Sequence, residues 1–257
     1  MFENISVELN GPIGELRLTR PEKLNPLSTT TLQEIAQAAR MFDEQRELKV
    51  VIVRGDGRAF CSGADLSSFA QRQALSARDA AEVGREMADA LESMRAISIV
   101  SIQGWCVGGG LVLAAACDLR IASEEARFSI PEVDLGIPFA WGGIPRLVRE
   151  IGPALTKELV LTCRPFDAAE AKAAGFLNRV VPANELDATV DELAESISRK
   201  ASLAIFSTKR HVNAVTDQMV GTMRSWSDAD GLATALVDEE CAQARRDYLE
   251  SRNSKRA

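Results

Sequence analysis

Histidine is scarce in this 257-residue chain, and its cysteines are not arranged in pairs. His211 is the one histidine, and the five cysteines show no C-x-x-C spacing. A structural zinc site needs clustered cysteine and histidine ligands, and a disulfide framework usually has an even number of cysteines. We therefore predict no metal site and no disulfide framework, and we expect a reducing, cytoplasmic environment. No basic segment with an apolar run precedes the first predicted strand, so we expect no secretory signal.

The chain also lacks an excess of positive charge. It has 30 lysines and arginines against 37 aspartates and glutamates, which gives a formal net charge of −7. Because no basic stripe is present to neutralise phosphates, we exclude a general nucleic-acid-binding function. Residues 97–117 carry no charge, but glycines and polar residues interrupt this apolar run. A membrane helix needs continuity there, so we predict no membrane span.

Two common functional patterns are missing as well. The glycines at 108–110 do not have the G-x-G-x-x-G spacing, and no P-loop lysine follows them. Dinucleotide and nucleotide binding are therefore disfavoured. There is no G-x-S-x-G elbow, so a serine hydrolase has no support.

What is present is a regular alternation of strand and helix patterns. Alternating apolar residues predict a β-hairpin over 5–18, and a helix capped by Ser28 or a neighbouring threonine follows. Further along, the patterns predict strands at 50–53, 99–102 and 119–122, helices at 76–94 and 111–117, and a glycine turn at 105–110. Such alternation with buried strands is typical of an α/β fold.

Strands become scarce in the second half of the chain. Asp167 and Glu170 form a predicted capping box, Gly175 fits the end of that helix, and 180–182 is the last extended segment. The rest is predicted to be helical. We divide the chain into an α/β core at 1–199 and an attached helical subdomain at 200–257.

The most informative feature is the triple glycine at 108–110 together with Glu132 on a downstream loop. A glycine-rich turn that leads into a helix leaves backbone N–H groups free, which suits an oxyanion. One carboxyl group beside it can move a proton next to a polarised carbonyl, whereas two can also activate water. Residue 112 is the position where a second carboxylate might be expected, and here it is a valine. The identity of this residue therefore bears on which reaction is possible.

A second segment, 59–66, places small residues after a buried strand. A ligand could approach this backbone closely, although a plain tight loop explains the same residues. Cys61 and Cys106 lie beside the proposed site, but no histidine is near them in sequence. We interpret both cysteines as packing residues.

Several motifs together resemble the crotonase superfamily, also called the enoyl-CoA hydratase/isomerase family. They are Arg20–Leu27, Ala59–Leu66, Gly108–Gly110 with the helix ending at Asp118, Phe128–Glu132, Leu135–Pro138, Arg146–Leu147, and Ala171–Val181. The resemblance covers nearly the whole chain. It implies a crotonase-like spiral of β-β-α units whose C-terminal helical subdomain serves as a trimerisation or lid element, in a homotrimer or a dimer of trimers.

The resemblance also implies a ligand and roles for named residues. The substrate would be an acyl-CoA thioester, with CoA as part of the substrate and no separate cofactor. Two backbone N–H groups, those of Ala64 and Gly109, would hold the thioester oxygen, and Glu132 would transfer the proton. The residues expected to line the CoA arm are Lys23, Leu24, Pro26, Ser62, Ala64 and Leu66.

Val112 is where this chain departs from family hydratases, which carry a second glutamate there to hold water. Moving a double bond needs only one base, because the proton taken from C2 can be returned at C4. The resemblance points the same way, since related Δ3-Δ2-enoyl-CoA isomerases keep the glutamate that corresponds to Glu132 and have an apolar residue at the position of Val112. We predict that isomerisation. Hydration with water held by Glu132 and backbone groups stays open, as does a non-catalytic acyl-CoA-binding role.

Four residues near Glu132 have weaker signals. Asp134 could assist Glu132, but a loop aspartate is more often a solvated or capping residue. Ala140 stands where some superfamily members carry an aspartate, so chemistry that uses that acid is disfavoured. Phe139 and Trp141 could shape the acyl pocket or simply pack in the core.

The C-terminal part offers five further candidate residues. His211 belongs to a charged helical stretch, and we interpret it as a surface residue. Tyr248 stands where family members place an aromatic that covers CoA. Nearby, Arg252, Lys255 and Arg256 could meet the CoA phosphates or could be an ordinary charged terminus.

Overall fold

The computed structural model of the chain describes residues 2–65, 77–225 and 227–254. The strands in this part are β1 Ile5–Asn10, β2 Ile13–Leu18, β3 Val50–Gly55, β4 Ile97–Ile102, β5 Trp105–Val107, β6 Leu119–Ser123, β7 Arg127–Ser129, β8 Phe166–Asp167 and β9 Arg179–Val181. The helices are α1 Thr29–Glu44, α2 Ala77–Ser93, α3 Gly109–Ala115, α4 Gly143–Thr162, α5 Ala168–Ala173, α6 Leu186–Ser198, α7 Ser202–Val220, α8 Asp228–Val237 and α9 Glu239–Ser254. Short 3-10 helices cover Pro21–Lys23, Ala183–Glu185 and Thr222–Ser225.

The main sheet has the strand order β1-β2-β3-β4-β6-β9. β1 and β2 form the predicted antiparallel hairpin, and every later pairing in this sheet is parallel. All six residues of β3 are buried. Its β-branched residues suit a strand that is covered on both faces. The predicted α/β fold is confirmed.

A small second sheet joins β5, β7 and β8. The sequence prediction is wrong here, because the glycine turn predicted at 105–110 begins with the strand β5, and β7 was not predicted at all. β5 and β7 have three residues each and β8 has two, which is too short for a periodic pattern to be visible. Their stability comes from pairing with each other, and that pairing is not encoded in the local sequence.

Helix ends follow local side-chain chemistry. The Ser28 hydroxyl accepts the N–H of Thr31 at 3.2 Å, so the predicted cap of α1 is confirmed. Asp167 accepts the N–H of Glu170 at 2.8 Å. The other half of the predicted capping box is missing, because the Glu170 carboxylate pairs with Arg164 instead.

The C-terminal helices pack against the core at several points. In α7, Lys209 is buried and donates to Asp118 Oδ2 at 2.7 Å, beyond the end of α3. α8 packs along α2. The proposed boundary near residue 199 falls between α6 and α7, and the division into two units stays a prediction. In the described segments, no helix has both the length and the apolarity needed to cross a membrane.

Candidate active site

Two short parallel strands bring the triple glycine and Glu132 together. β5 and β7 are paired from Trp105 with Arg127 to Val107 with Ser129. The pairing continues one step further, because the N–H of Gly108 donates to the carbonyl of Ser129 at 2.9 Å. Parallel strands end at the same edge of a sheet. The chain therefore leaves β5 into the glycines and leaves β7 towards Glu132 side by side.

Gly108 makes this close approach possible. Its φ of 51° and ψ of −115° lie in a region that L-residues rarely adopt. A β-carbon added at this position would collide with Oε1 of Glu132. The Glu132 carboxylate thus lies directly against the Gly108 backbone, at the start of α3.

The environment of the Glu132 carboxyl group is unusual for an acid. Its Oε2 atom is shielded from solvent and has no hydrogen-bond partner in the described part of the chain. Burial raises the pKa of this carboxyl from its ordinary value of 4.5 to about 8. Desolvation disfavours the charged form, and no cationic side chain among the described residues opposes that effect. A carboxyl group with such a pKa can exchange a proton near neutral pH.

Two backbone N–H groups lie near this carboxyl without an acceptor among the described residues. Ala64 and Leu27 form an isolated parallel β-bridge. In this bridge the N–H of Leu27 donates to the carbonyl of Gly63, and the carbonyl of Leu27 accepts from the N–H of Asp65. The N–H of Ala64 takes no part in this bridge and points away from Leu27. The N–H of Gly109 is at the start of α3, where no preceding helical turn exists to accept it.

Gly63 allows the segment that carries Ala64 to approach the segment that leads from Val107 into α3. A β-carbon at Gly63 would lie 2.7 Å from the carbonyl oxygen of Val107 and 3.6 Å from the nitrogen of Gly109. Its φ of +89° also favours glycine. The segment that carries Ala64 can therefore pass close to the start of α3, with the two free N–H groups on neighbouring pieces of backbone.

These groups surround a narrow cavity of about 30 Å³. Its walls are largely apolar and are formed by Ala64, Gly109, Val112, Glu132, Ile137, Pro138, Phe139, Ala140, Trp141 and Leu232. Of the described side chains that line it, only that of Glu132 is ionisable. Val112 is buried at 1% exposure and shares this cavity with Glu132. Position 112 thus contributes an apolar wall next to the acid.

Of the other candidates around Glu132, three line the cavity and one does not. Asp134 is exposed and does not line the cavity, and its N–H contacts Cys163 Sγ at 3.4 Å. Phe139, Ala140 and Trp141 are buried and form cavity wall. For Phe139 and Trp141, the pocket and core interpretations both hold, because the same side chains belong to the core and to the wall.

The segments expected to hold the CoA arm run side by side. The N–H of Ser62 donates to the carbonyl of Leu24 at 2.9 Å, and Leu27 donates to Gly63 at 2.8 Å. Buried Asn25 fixes the first segment, since its Nδ2 donates to the carbonyls of Asp56 and Ala59 at 2.8 and 3.0 Å. The structure brings together these predicted residues: exposed Lys23, half-buried Leu24, Ser62 and Ala64, and buried Pro26. Leu66 lies outside the described residues.

Cys61, Cys106, His211 and Tyr248 are not among the described residues that line the cavity. Cys61 and Cys106 are buried thiols, and burial raises the pKa of both, to about 12 for Cys61. Neither is a thiolate near neutral pH, which agrees with a packing role. His211 is exposed on α7, and Tyr248 is half-buried on α9.

Three residues in the C-terminal tail keep their sequence interpretation. Lys255 and Arg256 lie outside the described part of the chain, and the side chain of Arg252 is likewise not described. Their predicted contact with CoA phosphates stays a prediction.

Sequence reasoning missed Leu232 and Ile137, which line the cavity. Leu232 comes from α8 and lies 100 positions after Glu132 in the chain, so no local pattern could connect them. Ile137 is part of a motif that the sequence analysis quoted, and its N–H donates to the carbonyl of Glu132 at 2.9 Å. That bond folds the loop so that the cavity closes around the acid.

The raised pKa of Glu132 predicts a pH-dependent stability. Between pH 4.5 and about 8 the unfolded chain loses this proton while the folded chain keeps it, so folding becomes less favourable as pH rises. Glu132→Gln removes this linkage. We expect the variant to gain melting temperature relative to wild type at pH 8 to 9 and to gain much less near pH 5, measured by calorimetry. An equal gain at both pH values would contradict the raised pKa.

Comparison with known proteins gives consistent matches over nearly the whole chain. The family model described as enoyl-CoA hydratase/isomerase matches residues 8–255. Crotonyl-CoA hydratase of Syntrophomonas wolfei subsp. wolfei is 33% identical over 255 residues, which cover 98% of this chain and 97% of that protein. The peroxisomal Delta(3,5)-Delta(2,4)-dienoyl-CoA isomerase of Arabidopsis thaliana is 34% identical over 259 residues, covering 94% and 93%.

Solved structures show the same architecture. The crystal structure of an enoyl-CoA hydratase from Mycobacterium avium subsp. paratuberculosis superposes with a TM-score of 0.86 at 26% identity, covering 95% of this chain and 98% of that one. An enoyl-CoA hydratase/isomerase from Xanthobacter autotrophicus also gives a TM-score of 0.86, at 28% identity. Hydratases and isomerases are both among these relatives.

Proposed function

The chain belongs to the enoyl-CoA hydratase/isomerase family, the crotonase superfamily that its motifs resemble, and from that premise we propose that it catalyses Δ3-Δ2-enoyl-CoA isomerisation. The observation that carries this proposal is the apolar cavity in which Glu132 is the one ionisable side chain among the described lining residues. A single acid of pKa about 8 is suited to taking up and returning one proton.

The free N–H groups of Ala64 and Gly109 would bind the thioester oxygen of the substrate. The Glu132 carboxylate removes a proton from C2, and the electron pair of that C–H bond moves towards the carbonyl. This forms a dienolate whose negative oxygen is held by the two N–H groups. Each such donor is typically worth about 3–4 kcal/mol in the transition state.

Proton return completes the isomerisation. The Glu132 carboxylic acid gives its proton to C4 of the dienolate, and the double bond then lies between C2 and C3, in conjugation with the thioester. One proton leaves C2 and one arrives at C4, so the carboxylate is regenerated. The raised pKa supports both steps, because the acid form of Glu132 is stable enough to persist between them.

The apolar residue at 112 favours isomerisation over hydration. Water addition needs a water molecule that is held and activated, and Val112 offers neither a charge nor a hydrogen bond. The residues outside the described ranges contain no aspartate or glutamate, so none of them adds a second carboxylate. Within one chain, Glu132 would have to hold and activate the water alone.

Hydration is the second candidate, because several relatives carry that activity in their names. Crotonyl-CoA hydratase of Syntrophomonas wolfei subsp. wolfei matches over almost the full length of both chains. In this chain, water would be held by Glu132 and backbone groups. A third possibility, binding of acyl-CoA without turnover, uses the same cavity without proton transfer.

One pair of assays separates these functions. The purified protein is given a 3-enoyl-CoA and, separately, a 2-enoyl-CoA, and the absorbance of the conjugated thioester is followed in each. We expect conjugation to appear from the first substrate and to persist in the second. Loss of conjugation from the second would establish hydration instead, and silence in both, with acyl-CoA binding seen by calorimetry, would favour the binding role.

Val112→Glu tests why hydration is withheld. The new carboxylate would face Glu132 in the cavity and could hold a water between them, so we expect hydration of 2-enoyl-CoA to appear above the wild-type level. Val112→Gln is the matched control, because it adds similar bulk and polarity without a charge. Folding is checked by circular dichroism, since a buried charge is costly. A folded Val112→Glu protein with no hydration would argue that the second carboxylate is not what wild type lacks.

We also propose that copies of this chain associate, as a homotrimer or a dimer of trimers, in a cytoplasmic setting. Exposed apolar side chains on α7 and just beyond it support association, namely Leu203, Val212, Val215, Met219 and Met223. Exposed apolar surface of this kind often marks a contact between proteins. Sedimentation equilibrium gives the number of copies directly.

A further inference from the structure

The peptide unit between Trp141 and Gly142 is held from both sides by charged groups. Its carbonyl accepts from Arg146 Nη1 at 3.3 Å, and the neighbouring Gly142 carbonyl accepts from the same atom at 3.2 Å. Its N–H donates to Asp228 Oδ2 at 2.9 Å. The peptide thus has little freedom to rotate, because a rotation would break bonds at both ends.

Arg146 is itself fixed. It is fully buried, and its Nη2 donates to Asp89 at 2.8 Å and to Glu92 at 2.5 Å, both on α2. Hydrogen bonds to charged groups are stronger than neutral ones, and a buried arginine that is paired in this way stays in place. The carbonyl side of the Trp141–Gly142 peptide is therefore anchored to α2.

The Trp141 ring touches the proposed oxyanion donor. A β-carbon added to Gly109 would collide with Cζ3 of the ring, and one added to Gly84 of α2 would collide with Cδ2 of the same ring. The indole is therefore in contact with the start of α3, at the residue whose N–H is free. Trp141 has a φ of 61°, which is unfavourable for a bulky residue and persists only where surrounding contacts impose it.

Asp228 connects this arrangement to the C-terminal helices. It is the first residue of α8, and Leu232 lies one turn further along the same face and lines the cavity. One helix therefore closes the cavity with Leu232 and holds the Trp141–Gly142 peptide with Asp228. The two residues come from a part of the chain that carries none of the motif glycines.

We propose that Asp228 is a positioning residue which, through the Gly142 N–H and the Trp141 ring, holds the N–H of Gly109 in place for the substrate oxygen. This inference rests on the proposed function, because it concerns the same oxyanion-binding groups. It adds a role for a carboxylate that lies outside the cavity lining and that proton transfer does not use.

Asp228→Ala and Asp228→Asn test the inference as a pair. Asn keeps an oxygen that can accept the Gly142 N–H, whereas Ala does not. We expect kcat of Asp228→Ala to fall by about 10- to 100-fold with little change in KM, because misplacing a group by about 1 Å can lower a rate about 100-fold. Asp228→Asn should stay close to wild type. Asp230→Ala, on the same helix with an exposed partner in Arg78, is the control for a general effect on α8.

A bound chromophore reports the oxyanion groups without turnover. The absorbance of para-dimethylaminocinnamoyl-CoA moves to longer wavelength when hydrogen bonds polarise its thioester carbonyl. We expect a red shift on wild type, on Asp228→Asn and on Asp230→Ala, and a smaller shift on Asp228→Ala. Trp141→Phe keeps Asp228 but removes part of the ring that contacts Gly109, so it should also show a smaller shift, which keeps the test valid if Asp228→Ala does not fold.

The outcomes separate the two proposals. A wild-type red shift that is unchanged in folded Asp228→Ala, or in Trp141→Phe, overturns the positioning role while leaving the oxyanion site intact. The positioning role is also overturned if kcat falls as much in Asp230→Ala as in Asp228→Ala. Absence of a red shift on wild type, although the probe binds, overturns the oxyanion site itself and the inference with it.

Discussion

Glu132→Gln should lower the rate of 3-enoyl-CoA isomerisation by about 10²- to 10⁴-fold, the usual contribution of a general acid or base. Gln fills nearly the same space but cannot take up the C2 proton. Acyl-CoA affinity should stay close to wild type, because the substitution leaves the N–H groups of Ala64 and Gly109 and the cavity walls unchanged. The measurements are kcat by absorbance of the conjugated thioester and binding by calorimetry.

Asp134→Asn is the matched control for this substitution. Asp134 lies two residues away on the same loop, but it is exposed and does not line the cavity. We expect nearly full activity. If Asp134→Asn loses as much rate as Glu132→Gln, the two carboxylates act together. Equal losses of binding and rate in Glu132→Gln would show that Glu132 serves the structure of the site rather than proton transfer.

The wild-type pH profile adds an independent check on Glu132. Because the base must be deprotonated to act, kcat/KM should rise with pH and level off above an apparent pKa of about 8. This rise of kcat/KM with pH should be absent from the residual activity of Glu132→Gln. A profile that is flat from pH 6 to 9 in wild type would mean that another group carries the proton.

Gly108→Ala should lower kcat by about 100-fold, the scale expected when catalytic groups are displaced by about 1 Å. The added methyl group would occupy the position of Glu132 Oε1, so either the carboxylate turns away or the backbone before Gly109 shifts. Both outcomes separate the base from the oxyanion groups. The substitution should also destabilise the fold, since an L-residue held in such a sparsely populated φ/ψ region costs about 1–3 kcal/mol.

Gly11→Ala controls for the backbone cost. Gly11 lies in the turn between β1 and β2 with a φ of +59°, and a β-carbon there would meet nothing within 4 Å. This variant should lose stability in thermal unfolding and keep full activity. The prediction for Gly108 would be wrong if Gly108→Ala stayed active, or if Gly11→Ala lost as much activity for a similar loss of melting temperature.

Local sequence patterns are enough to predict the elements that form within a few residues. The uninterrupted β-branched run of β3, the Ser28 cap of α1 and the hairpin of β1 and β2 are each encoded within a few residues. The motifs around Gly108–Gly110 and Glu132 were also sufficient to indicate the family and its fold, and Val112 was sufficient to raise the question of hydration against isomerisation. These features need no knowledge of distant contacts.

The surroundings of the Glu132 carboxyl group, in contrast, depend on long-range packing. The pKa of Glu132 depends on desolvation, and desolvation depends on Leu232, Trp141 and other residues that the fold brings in from distant parts of the chain. The pairing of β5 with β7 was invisible in the sequence for the same reason, since three-residue strands are stabilised by their partners. The bond between Gly142 and Asp228 likewise joins residues 86 positions apart. Local patterns specify which groups are present, and long-range packing sets their distance, burial and proton affinity.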